Sequence, residues 1–509
     1  MSRMRRPGPQ FFLALALLNG ALGAAGCGGD DASPAPVLDL GPAAVFAPAP
    51  CPAVQSAWQM SCGTLTVPES RAKGAGSRMV TLFMVRLKSS SPTPAPDPLI
   101  YLEGGPGEGS VETILALAGL SPGPLSATLA KRDVIAIDQR GTGRSLPSLQ
   151  CPELAEGAYG MPGGTMAMAS MTSIELLGRC RARLVGEGID LGHYQTSESA
   201  DDLAAARIAL GYQQWNVLGA SYGTRLATEL MRRHPEGLRS VILDSVWPAD
   251  IDLIAESAPN FMRALNLLFS GCSAQPECER AYPNLHQVFT DLVNHLDSQP
   301  VPIVTPTGSL MLSGRIFATV MTRFLYFPFL TRELPELIFQ MRDGDFSVFK
   351  QAFGMMMAAN GPTSMSMGLH YSVMCADAFP LTSAAKIEMQ AAGLPAELKP
   401  AFTLSSYLDL CPTWNVPASP AAALQPVSSG IPSMVLSGQI DPVTPPAWGQ
   451  HAAETLSKHV RFELMGEGHG IFITPCGSQL LAGFLADPLS LPPSACVAGE
   501  RALAFGIHR

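Results

Sequence analysis

The sequence predicts an α/β protein with a mostly parallel, eight-stranded sheet, flanking helices and an inserted helical cap. Short apolar segments alternate with helical patterns such as Ser199–Leu210 and Thr224–Arg233, which is typical of a parallel sheet. This alternation stops between Asp244 and Ile431, where the pattern is helix-like. A chain of 509 residues, 47% of them hydrophobic, is long enough to bury a large core together with such an insertion.

Eight short apolar segments are predicted to form the strands of the sheet. Helices separate the later segments, so we expect those strands to run parallel to one another. In chain order, the predicted strands are Gly63–Val67, Met79–Leu87, Leu99–Leu102, Asp133–Ile137, Asn216–Leu218, Ser240–Leu243, Pro432–Leu436 and Val460–Leu464.

The segment Gly219-Ala-Ser221-Tyr-Gly223 is the most informative motif of the chain. It follows the apolar segment Trp215–Leu218 and precedes a helix that ends near Arg233. A G-x-S-x-G turn between a strand and a helix is typical of a nucleophilic serine, because the two glycines relieve crowding in a very tight turn. The N-terminus of the helix also favours a developing negative charge. A glycine-rich turn without catalytic function is the alternative interpretation.

A nucleophilic serine needs a base, and the base needs a carboxylate that fixes its tautomer. Asp441 and His469 follow the last two predicted strands, so both lie in loops where a parallel sheet assembles its active site. The order Ser, Asp, His along the chain is also the order of this class of catalytic triad. We therefore predict Ser221, Asp441 and His469 as the triad, with Asp244, which also ends a predicted strand, as the rival acid.

Glycines that follow the predicted strand Leu99–Leu102 indicate a binding site for an oxyanion. The segment Glu103-Gly-Gly-Pro-Gly107 places consecutive glycines where backbone N–H groups can approach a negative charge closely. It lacks the Lys-Ser/Thr ending of a nucleotide-binding P-loop and the spaced glycines of a dinucleotide-binding turn. We therefore expect no nucleotide there.

Together these segments resemble the proline iminopeptidase and tripeptidyl aminopeptidase family of serine exopeptidases, which have the α/β-hydrolase fold. The resemblance covers roughly residues 60 to 480, and it is strongest to the secreted bacterial tripeptidyl aminopeptidase branch. Five motifs carry it: Glu103–Gly107, similar to HGGPG; Asp138–Ser145, similar to DQRGxGxS; Ser221–Ala227; Cys375–Asp377; and Ser437–Pro445.

The resemblance implies the same triad, with an oxyanion hole near Gly104, Gly105 and Tyr222. Glu103 stands where the family has a histidine, which makes the surroundings of the hole more acidic. An enzyme that counts from a peptide N-terminus must also bind a free ammonium through a carboxylate inside the cap. We expect Asp377 or Glu103 to be that carboxylate. Further acidic candidates of the insertion are Asp250, Asp252, Glu256 and Asp409.

The N-terminal residues predict export. Three arginines precede a short apolar segment, Phe11–Leu18, which is typical of a secretory signal and too short to span a membrane. Cys27 follows small residues as in a bacterial lipobox, so we expect a lipid anchor on Cys27, with simple cleavage after Ala25 as the alternative. The predicted segments are a signal peptide (1–26), a Pro/Ala-rich tether (27–50), the first part of the core (51–248), a helical cap (249–428) and the C-terminal part of the core (429–509).

Cysteine usage agrees with export. Setting Cys27 aside from the eleven cysteines leaves ten, and an even number in an exported chain indicates disulfides. The spacing does not determine their connectivity. We expect nearest neighbours along the chain to pair, with Cys272–Cys278 favoured by its short loop. The chain has neither a paired C-x-x-C pattern nor an H-E-x-x-H motif, so no metal site is predicted.

These observations predict an exported aminopeptidase that releases N-terminal residues or tripeptides from peptides through an acyl-enzyme, without a cofactor. A carboxylesterase on the same scaffold is one alternative, because the fold and triad do not choose between ester and amide substrates. A non-catalytic envelope binding protein is the other. The formal net charge of −9 argues against nucleic-acid partners, and we expect a membrane contact only through a lipid on Cys27.

Overall fold

A large β-sheet forms the centre of the protein. The computed structural model describes residues 40, 44–54, 56–120, 123–154, 166–305, 308–359, 365–403, 407–499 and 501–508. Within these residues the strands are β1 (Val45–Ala49), β2 (Met60–Pro68), β3 (Met79–Leu87), β4 (Leu99–Leu102), β5 (Val134–Ile137), β6 (Trp215–Ala220), β7 (Leu238–Asp244), β8 (Val301–Thr305), β9 (Gly308–Leu312), β10 (Ser433–Gly438) and β11 (His459–Leu464).

In the described part of the chain, nine strands make the central sheet in the order β1-β2-β3-β5-β4-β6-β7-β10-β11, and β8 and β9 pair separately as a hairpin. The six strands from β5 across to β11 are parallel, whereas β1, β2 and β3 are antiparallel to their neighbours. Asp244 at the end of β7 lies beside Ala220 of β6 and beside Leu436 of β10. The carboxyl ends of three neighbouring strands therefore meet at one edge, where the loops that follow them can share a site.

Helices connect the strands and fill the insertion. Within the same described ranges they are α1 (Ser110–Ala118), α2 (Ser126–Leu129), α3 (Met166–Gly186), α4 (Thr196–Ala209), α5 (Tyr222–Arg233), α6 (Ser257–Ser273), α7 (Pro276–Ala281), α8 (Leu285–Ser298), α9 (Gly314–Phe324), α10 (Pro328–Thr331), α11 (Leu334–Arg342), α12 (Ser347–Ala359), α13 (Met367–Val373), α14 (Ala384–Gln390), α15 (Lys399–Thr403), α16 (Tyr407–Trp414), α17 (Pro446–Ala453), α18 (Pro475–Ala486) and α19 (Ala495–Gly499).

The two faces of the sheet are both covered. Val241 and Leu243 of β7 belong to a hydrophobic cluster with α4 and α5, whereas Ile242 belongs to a second cluster with α1 and α18. Because successive side chains of a strand point to opposite faces, the helices must lie on both sides of the sheet. The predicted fold class, a mostly parallel sheet with flanking helices, is confirmed, and each of the eight predicted strands is present.

The ninth strand, β1, lies within residues 27–50, which the sequence predicts as a flexible tether. The ring of Phe46 lies over Gly63 of β2 so closely that a Cβ on Gly63 would be 2.2 Å from it. Pro48 is compatible with β1 because an edge strand leaves one side unpaired. This end of the tether is therefore ordered by contacts with β2, which a local sequence pattern does not reveal. The rest of the tether before residue 40 and the signal peptide lie outside the described residues.

The inserted region has a hydrophobic core of its own. Phenylalanines from five helices, α6, α8, α9, α11 and α12, make its centre, and the hairpin of β8 and β9 adds Ile303 and Leu312 to it. The hairpin is a difference from the sequence prediction, which expects helices alone. Later helices of the insertion instead join the core on one face of the sheet, through Leu369 of α13 and Trp414 of α16. The chain from Leu40 to Arg509 accordingly forms one compact unit.

Five disulfides are present among the described residues, and each joins nearest neighbours along the chain as expected. They are Cys51–Cys62, Cys151–Cys180, Cys272–Cys278, Cys375–Cys411 and Cys476–Cys496. Disulfides of this number are typical of proteins that fold in an oxidising compartment outside the cytosol. Among the helices described here, none has the length and apolar composition that a membrane span requires.

Candidate active site

Ser221 lies in the turn between β6 and α5, in a backbone conformation that is rare for a residue with a Cβ. Its φ is 54° and its ψ is −122°. A Cβ on Gly219 would lie 2.3 Å from the carbonyl oxygen of Gly223, and a Cβ on Gly223 would lie 2.1 Å from the carbonyl oxygen of Leu102. Both glycines of the motif are therefore required by close backbone contacts.

Hydrogen bonds hold this turn to the next strand and helix. The N–H of Ser221 donates to the carbonyl of Asp244 at 2.9 Å. The carbonyl of Ser221 accepts from the N–H of Thr224 at 2.9 Å and from its hydroxyl at 2.6 Å. Ser221 is half-buried at the N-terminus of α5, where the helix dipole favours negative charge. The turn thus presents the serine in a fixed position.

Asp441 and His469 are in direct contact. Asp441 Oδ2 lies 2.7 Å from His469 Nδ1, and the aspartate is fully buried. The same carboxylate accepts the N–H groups of Val443 and Thr444 at 2.9 Å each and the hydroxyl of Thr444 at 2.7 Å. Asp441 is therefore both the turn former that an Asp-Pro segment suggests and the partner of the histidine. Since a carboxylate only accepts, Nδ1 carries a proton and Nε2 is left to act as a base.

Asp441 and His469 shift each other's pKa in opposite directions. Burial opposes ionisation of Asp441, but the facing imidazole and the hydrogen bonds from Thr444 outweigh it and lower the pKa of the carboxyl. Burial also opposes protonation of His469, yet the charge and hydrogen bond of Asp441 raise the pKa of the imidazole above its usual value. The pair is thus suited to a histidine that accepts a proton transiently.

Asp244, the rival acid, has different partners. It is fully buried and accepts the N–H groups of Ile471 at 2.9 Å and Phe472 at 2.7 Å, together with the hydroxyl of Ser245 at 3.1 Å. Burial raises the pKa of Asp244 to about 6, although these backbone hydrogen bonds counteract it. Asp244 therefore anchors the chain immediately after His469, whereas Asp441 is the carboxylate that contacts the ring.

The glycine loop that follows β4 lies against the serine. A Cβ on Gly104 would be 3.0 Å from Ser221 Cβ and 3.5 Å from Ser221 Oγ. The N–H of Gly104, however, donates to Glu103 Oε1 at 2.8 Å, so it is not free to bind an oxyanion as the sequence analysis expects. Gly105 is exposed and has a φ of 104°, which suits a glycine. Tyr222 follows Ser221 at the start of α5.

Neither residue expected to bind a substrate ammonium is placed to do so. Asp377 is 1% exposed and accepts hydrogen bonds from Thr196, Ser419 and Arg225, so its charge is already balanced inside the protein. Glu103 is also buried, and it accepts from the hydroxyl of Tyr101 at 2.9 Å as well as from Gly104. Burial and the nearby charge of Glu108 raise the pKa of Glu103 to about 7. Both carboxylates stabilise the frame of the site instead.

Other residues at the site were missed by the sequence analysis. Tyr326 accepts the N–H of His469 at 3.0 Å, and its ring lies 4.6 Å from the imidazole, centroid to centroid. Glu108 is half-buried beside the glycine loop and interacts electrostatically with His469 and Arg323. Of the residues that contact the pair, only Thr444 could have been expected from the local sequence, because it lies three residues after Asp441 and closes the Asp-Pro turn. Tyr326 comes from the insertion, far from the motifs in sequence.

Comparison with known families agrees with this architecture. Residues 97–265 match the α/β-hydrolase fold family, and residues 399–494 match the TAP-like protein family. The sheet topology, the serine turn and these two matches define the chain as a serine hydrolase with the α/β-hydrolase fold. The first match ends inside the insertion, and the second begins inside it.

Curated relatives refine this class. Over 78% of this chain and 79% of its own length, the serine protease Hip1 of Mycobacterium tuberculosis is 27% identical. Carboxylesterase B of the same species is 28% identical over 78% of both chains. Tripeptidyl aminopeptidase of Streptomyces coelicolor is 31% identical over 37% of this chain and 35% of its own. The expected resemblance to tripeptidyl aminopeptidase and its relatives is confirmed.

Among solved structures, proline iminopeptidase of Mycobacterium smegmatis aligns over 84% of this chain and 93% of its own, at 17% identity. The TM-score is 0.34. The fold assignment rests on the strand order and the family matches.

Replacing Asp441 or Asp244 by asparagine distinguishes the roles of these two aspartates. We expect Asp441→Asn to lower kcat by about four orders of magnitude, because the amide no longer fixes the tautomer of His469. Since Asp441 raises the pKa of His469, the acid limb of the rate profile also moves to lower pH in this variant. Rates and pH profiles with a chromogenic substrate would measure both effects.

Asp244→Asn is the matched control for that substitution. It keeps one acceptor for the N–H groups of Ile471 and Phe472 and loses the other, so we expect about 1–3 kcal/mol of lost stability. The fall in kcat should be far smaller than in Asp441→Asn. A larger loss of kcat in Asp244→Asn, at unchanged stability, would make Asp244 the catalytic acid.

Proposed function

We propose that this serine hydrolase is an aminopeptidase that cleaves peptides near their N-termini through an acyl-enzyme. Ser221 Oγ attacks the scissile carbonyl, His469 Nε2 takes the serine proton and gives it to the leaving amine, and Asp441 holds His469 in the required tautomer. The observation that supports this most strongly is the 2.7 Å contact between Asp441 and His469, at the sheet edge that also presents Ser221. The names of the protease and aminopeptidase relatives support peptides as substrates.

The N–H groups of Tyr222 and Gly105 are the proposed donors to the oxyanion. Tyr222 follows the nucleophile at the start of α5, which is the usual position of one donor. Gly105 takes the place of Gly104 as the second donor, because the N–H of Gly104 is bound to Glu103. Two such donors supply a large share of the rate acceleration in acyl transfer.

We assign the substrate ammonium to Glu108 in place of Asp377 and Glu103. The Glu108 side chain lies over the glycine loop, since its Cγ would be 3.5 Å from a Cβ on Gly105. The side chain is only half-buried, and its charge interacts with that of His469. Residues 249–428 serve as the cap that limits access to this space, between the two parts of the core at 51–248 and 429–509. Glu108 lies beside the glycine loop, and that loop lies against Ser221, so this placement fits removal of a short N-terminal segment.

A carboxylesterase is the second candidate function. Carboxylesterase B resembles this chain over the same share of its length as Hip1 does, so overall similarity does not discriminate between them. Ester and amide hydrolysis use the same serine, histidine and oxyanion donors. An aminopeptidase and a carboxylesterase differ in whether a free ammonium contributes to substrate binding. A substitution of Glu108 therefore distinguishes between the two functions.

The proposed location is the cell envelope, with a lipid on Cys27 and the signal peptide 1–26 removed. The five disulfides support an oxidising compartment outside the cytosol. Cys27 itself precedes the described residues, so its modification rests on the sequence pattern alone. Neither the fold nor the site requires a metal or an organic cofactor for the proposed reaction.

A fluorophosphonate probe tests for an activated serine. We expect the wild-type protein to be labelled rapidly and Ser221→Ala not at all, because the probe reacts only with a nucleophile supported by a base. Ser245→Ala is a useful control, since Ser245 is a buried serine at the same edge of the sheet. Folded wild-type protein that resists labelling would favour the non-catalytic binding protein.

Peptides with free and acetylated N-termini test the ammonium site. A charge-assisted hydrogen bond contributes about 1.5–3 kcal/mol, so acetylation should lower kcat/KM roughly ten- to a hundredfold. Glu108→Gln should lower kcat/KM for the free peptide by a similar factor and leave the acetylated peptide unaffected. The matched control is Glu112→Gln, because the side chain of Glu112 is 76% exposed.

The same assay separates the two candidate functions. Equal rates on free and acetylated peptides would contradict the aminopeptidase. A preference for simple acyl esters over both peptides would support the carboxylesterase. If Glu108→Gln slowed the free and acetylated peptides equally, the ammonium would have to bind elsewhere.

Mass spectrometry of the native protein tests its location. We expect the mature chain to begin at Cys27 and to carry a diacylglycerol thioether, as lipobox processing requires. A Cys27→Ser variant should lose this mass and leave the membrane fraction. An unmodified N-terminus at Gly26 in the wild-type protein would instead indicate simple secretion.

A further inference from the structure

The insertion contacts the glycine loop directly. Met365 forms an antiparallel bridge with Glu108, and the N–H of Ser366 donates to the carbonyl of Gly107 at 2.8 Å. The approach is close, because a Cβ on Gly107 would lie 2.6 Å from the carbonyl oxygen of Ser366. A segment distant in sequence is therefore joined to the loop that carries the proposed oxyanion donor.

One side chain of the same segment, His370 in α13, binds the middle of the loop. Its Nδ1 lies 3.0 Å from the carbonyl oxygen of Pro106, and its Nε2 lies 2.8 Å from the hydroxyl of Tyr407 in α16. A carbonyl only accepts, so Nδ1 carries the proton and Nε2 accepts from the tyrosine. Burial, followed by the positive charge of Arg323, lowers the pKa of His370 to about 4. The ring is therefore neutral near neutral pH, in a single tautomer.

Roles other than positioning do not suit His370. Both ring nitrogens are engaged, which leaves neither free to accept a substrate proton. Among the described residues, the one group with metal-ligand spacing is Cys151, Glu153 and Cys180, and its two cysteines form a disulfide. Within the described residues, His370 therefore has no neighbouring side chains with which it could bind a metal.

We infer that His370 is a positioning residue for the reaction: by donating to the carbonyl of Pro106, it holds the glycine loop against Ser221. The inference rests on the proposed function of the loop as an oxyanion donor. Gly105 and Gly107 have φ values of 104° and 110°, so the loop includes two residues with unusual conformational freedom. Since a misplacement of about 1 Å can cost a hundredfold in rate, such a loop needs an external constraint.

Tyr407 completes this constraint. Its hydroxyl binds the nitrogen of His370 that faces away from the loop, which fixes the plane of the ring. The chain of hydrogen bonds thus runs from α16 through α13 to the loop, and it joins the insertion to the catalytic region. Loss of the histidine should weaken binding of the tetrahedral oxyanion more than binding of the substrate carbonyl.

The test compares His370→Ala, His370→Asn and Tyr407→Phe with the wild-type protein. The measurements are kcat, KM, the inhibition constant of a tripeptide aldehyde, which forms a tetrahedral adduct, and the unfolding temperature. We expect His370→Ala to lower kcat roughly ten- to a hundredfold and to weaken binding of the aldehyde inhibitor by a similar factor. KM should change by about twofold or less. His370→Asn should recover part of the loss, because its amide nitrogen can donate from a position near Nδ1.

His451→Ala is the matched control. That half-buried histidine also binds another side chain, Asp250 at 2.8 Å, but it lies on α17 outside the glycine loop. The inference is wrong if folded His370→Ala keeps the wild-type kcat, or if His370→Asn is no better than His370→Ala. Should His370→Ala not fold, Tyr407→Phe decides: a fall in kcat of about threefold or more at constant KM supports the role, and no change contradicts it.

Failure of the proposed function gives a different result. If Ser221→Ala keeps activity, the serine mechanism itself is wrong, whatever the His370 variants show. If Ser221→Ala is inactive while folded His370→Ala matches the wild-type protein, only the positioning role is lost.

Discussion

A close backbone contact at the serine turn determines the geometry of the whole site. Gly223 at the start of α5 approaches the carbonyl of Leu102 so nearly that no Cβ can be accommodated there. Leu102 ends β4, and the glycine loop begins at the next residue, so the same contact sets the position of that loop relative to Ser221. The unfavourable φ of Ser221 is held by hydrogen bonds to Asp244 and Thr224. The positions of Ser221, the proposed nucleophile, and of its neighbouring loop therefore depend on one packing constraint.

The insertion holds the loops of the site in place through hydrogen bonds, in addition to its proposed role as a cap. His370 binds the glycine loop, and the carbonyl of Tyr326 accepts the N–H of His469. Arg263 of α6 donates to the backbone carbonyls of Gln439, at 2.6 Å, and of Asp441. Each of the three loops that carry the proposed chemistry is thus bound by a different part of the insertion. Changes in the insertion are accordingly expected to alter rate as well as specificity.

Three buried aspartates show that partners, and not burial alone, decide the role of a carboxylate. Asp441 faces an imidazole, so its negative charge supports a transient positive charge on His469. Asp244 faces backbone N–H groups and fixes the chain after His469. Asp377 faces Arg225 of α5 and thereby links α5 to the insertion. All three are at most 1% exposed, yet only Asp441 is placed to assist proton transfer.

The sequence by itself determined eight of the nine strands of the sheet, the serine turn and the Asp441–His469 pair, because each depends on short-range patterns: apolar strands, glycines in a tight turn and polar residues just after strand ends. The pairing of the cysteines agrees with the expectation of nearest neighbours, but their spacing alone did not determine it. Only the tertiary structure decided that Gly104 is bound to Glu103, that Asp377 is neutralised by Arg225, and that Tyr326 and His370 hold the loops of the site. These contacts join residues far apart along the chain, and no local periodicity specifies which distant groups will meet. The hydrophobic pattern selects the fold, but the partner of a buried polar group is set by three-dimensional packing.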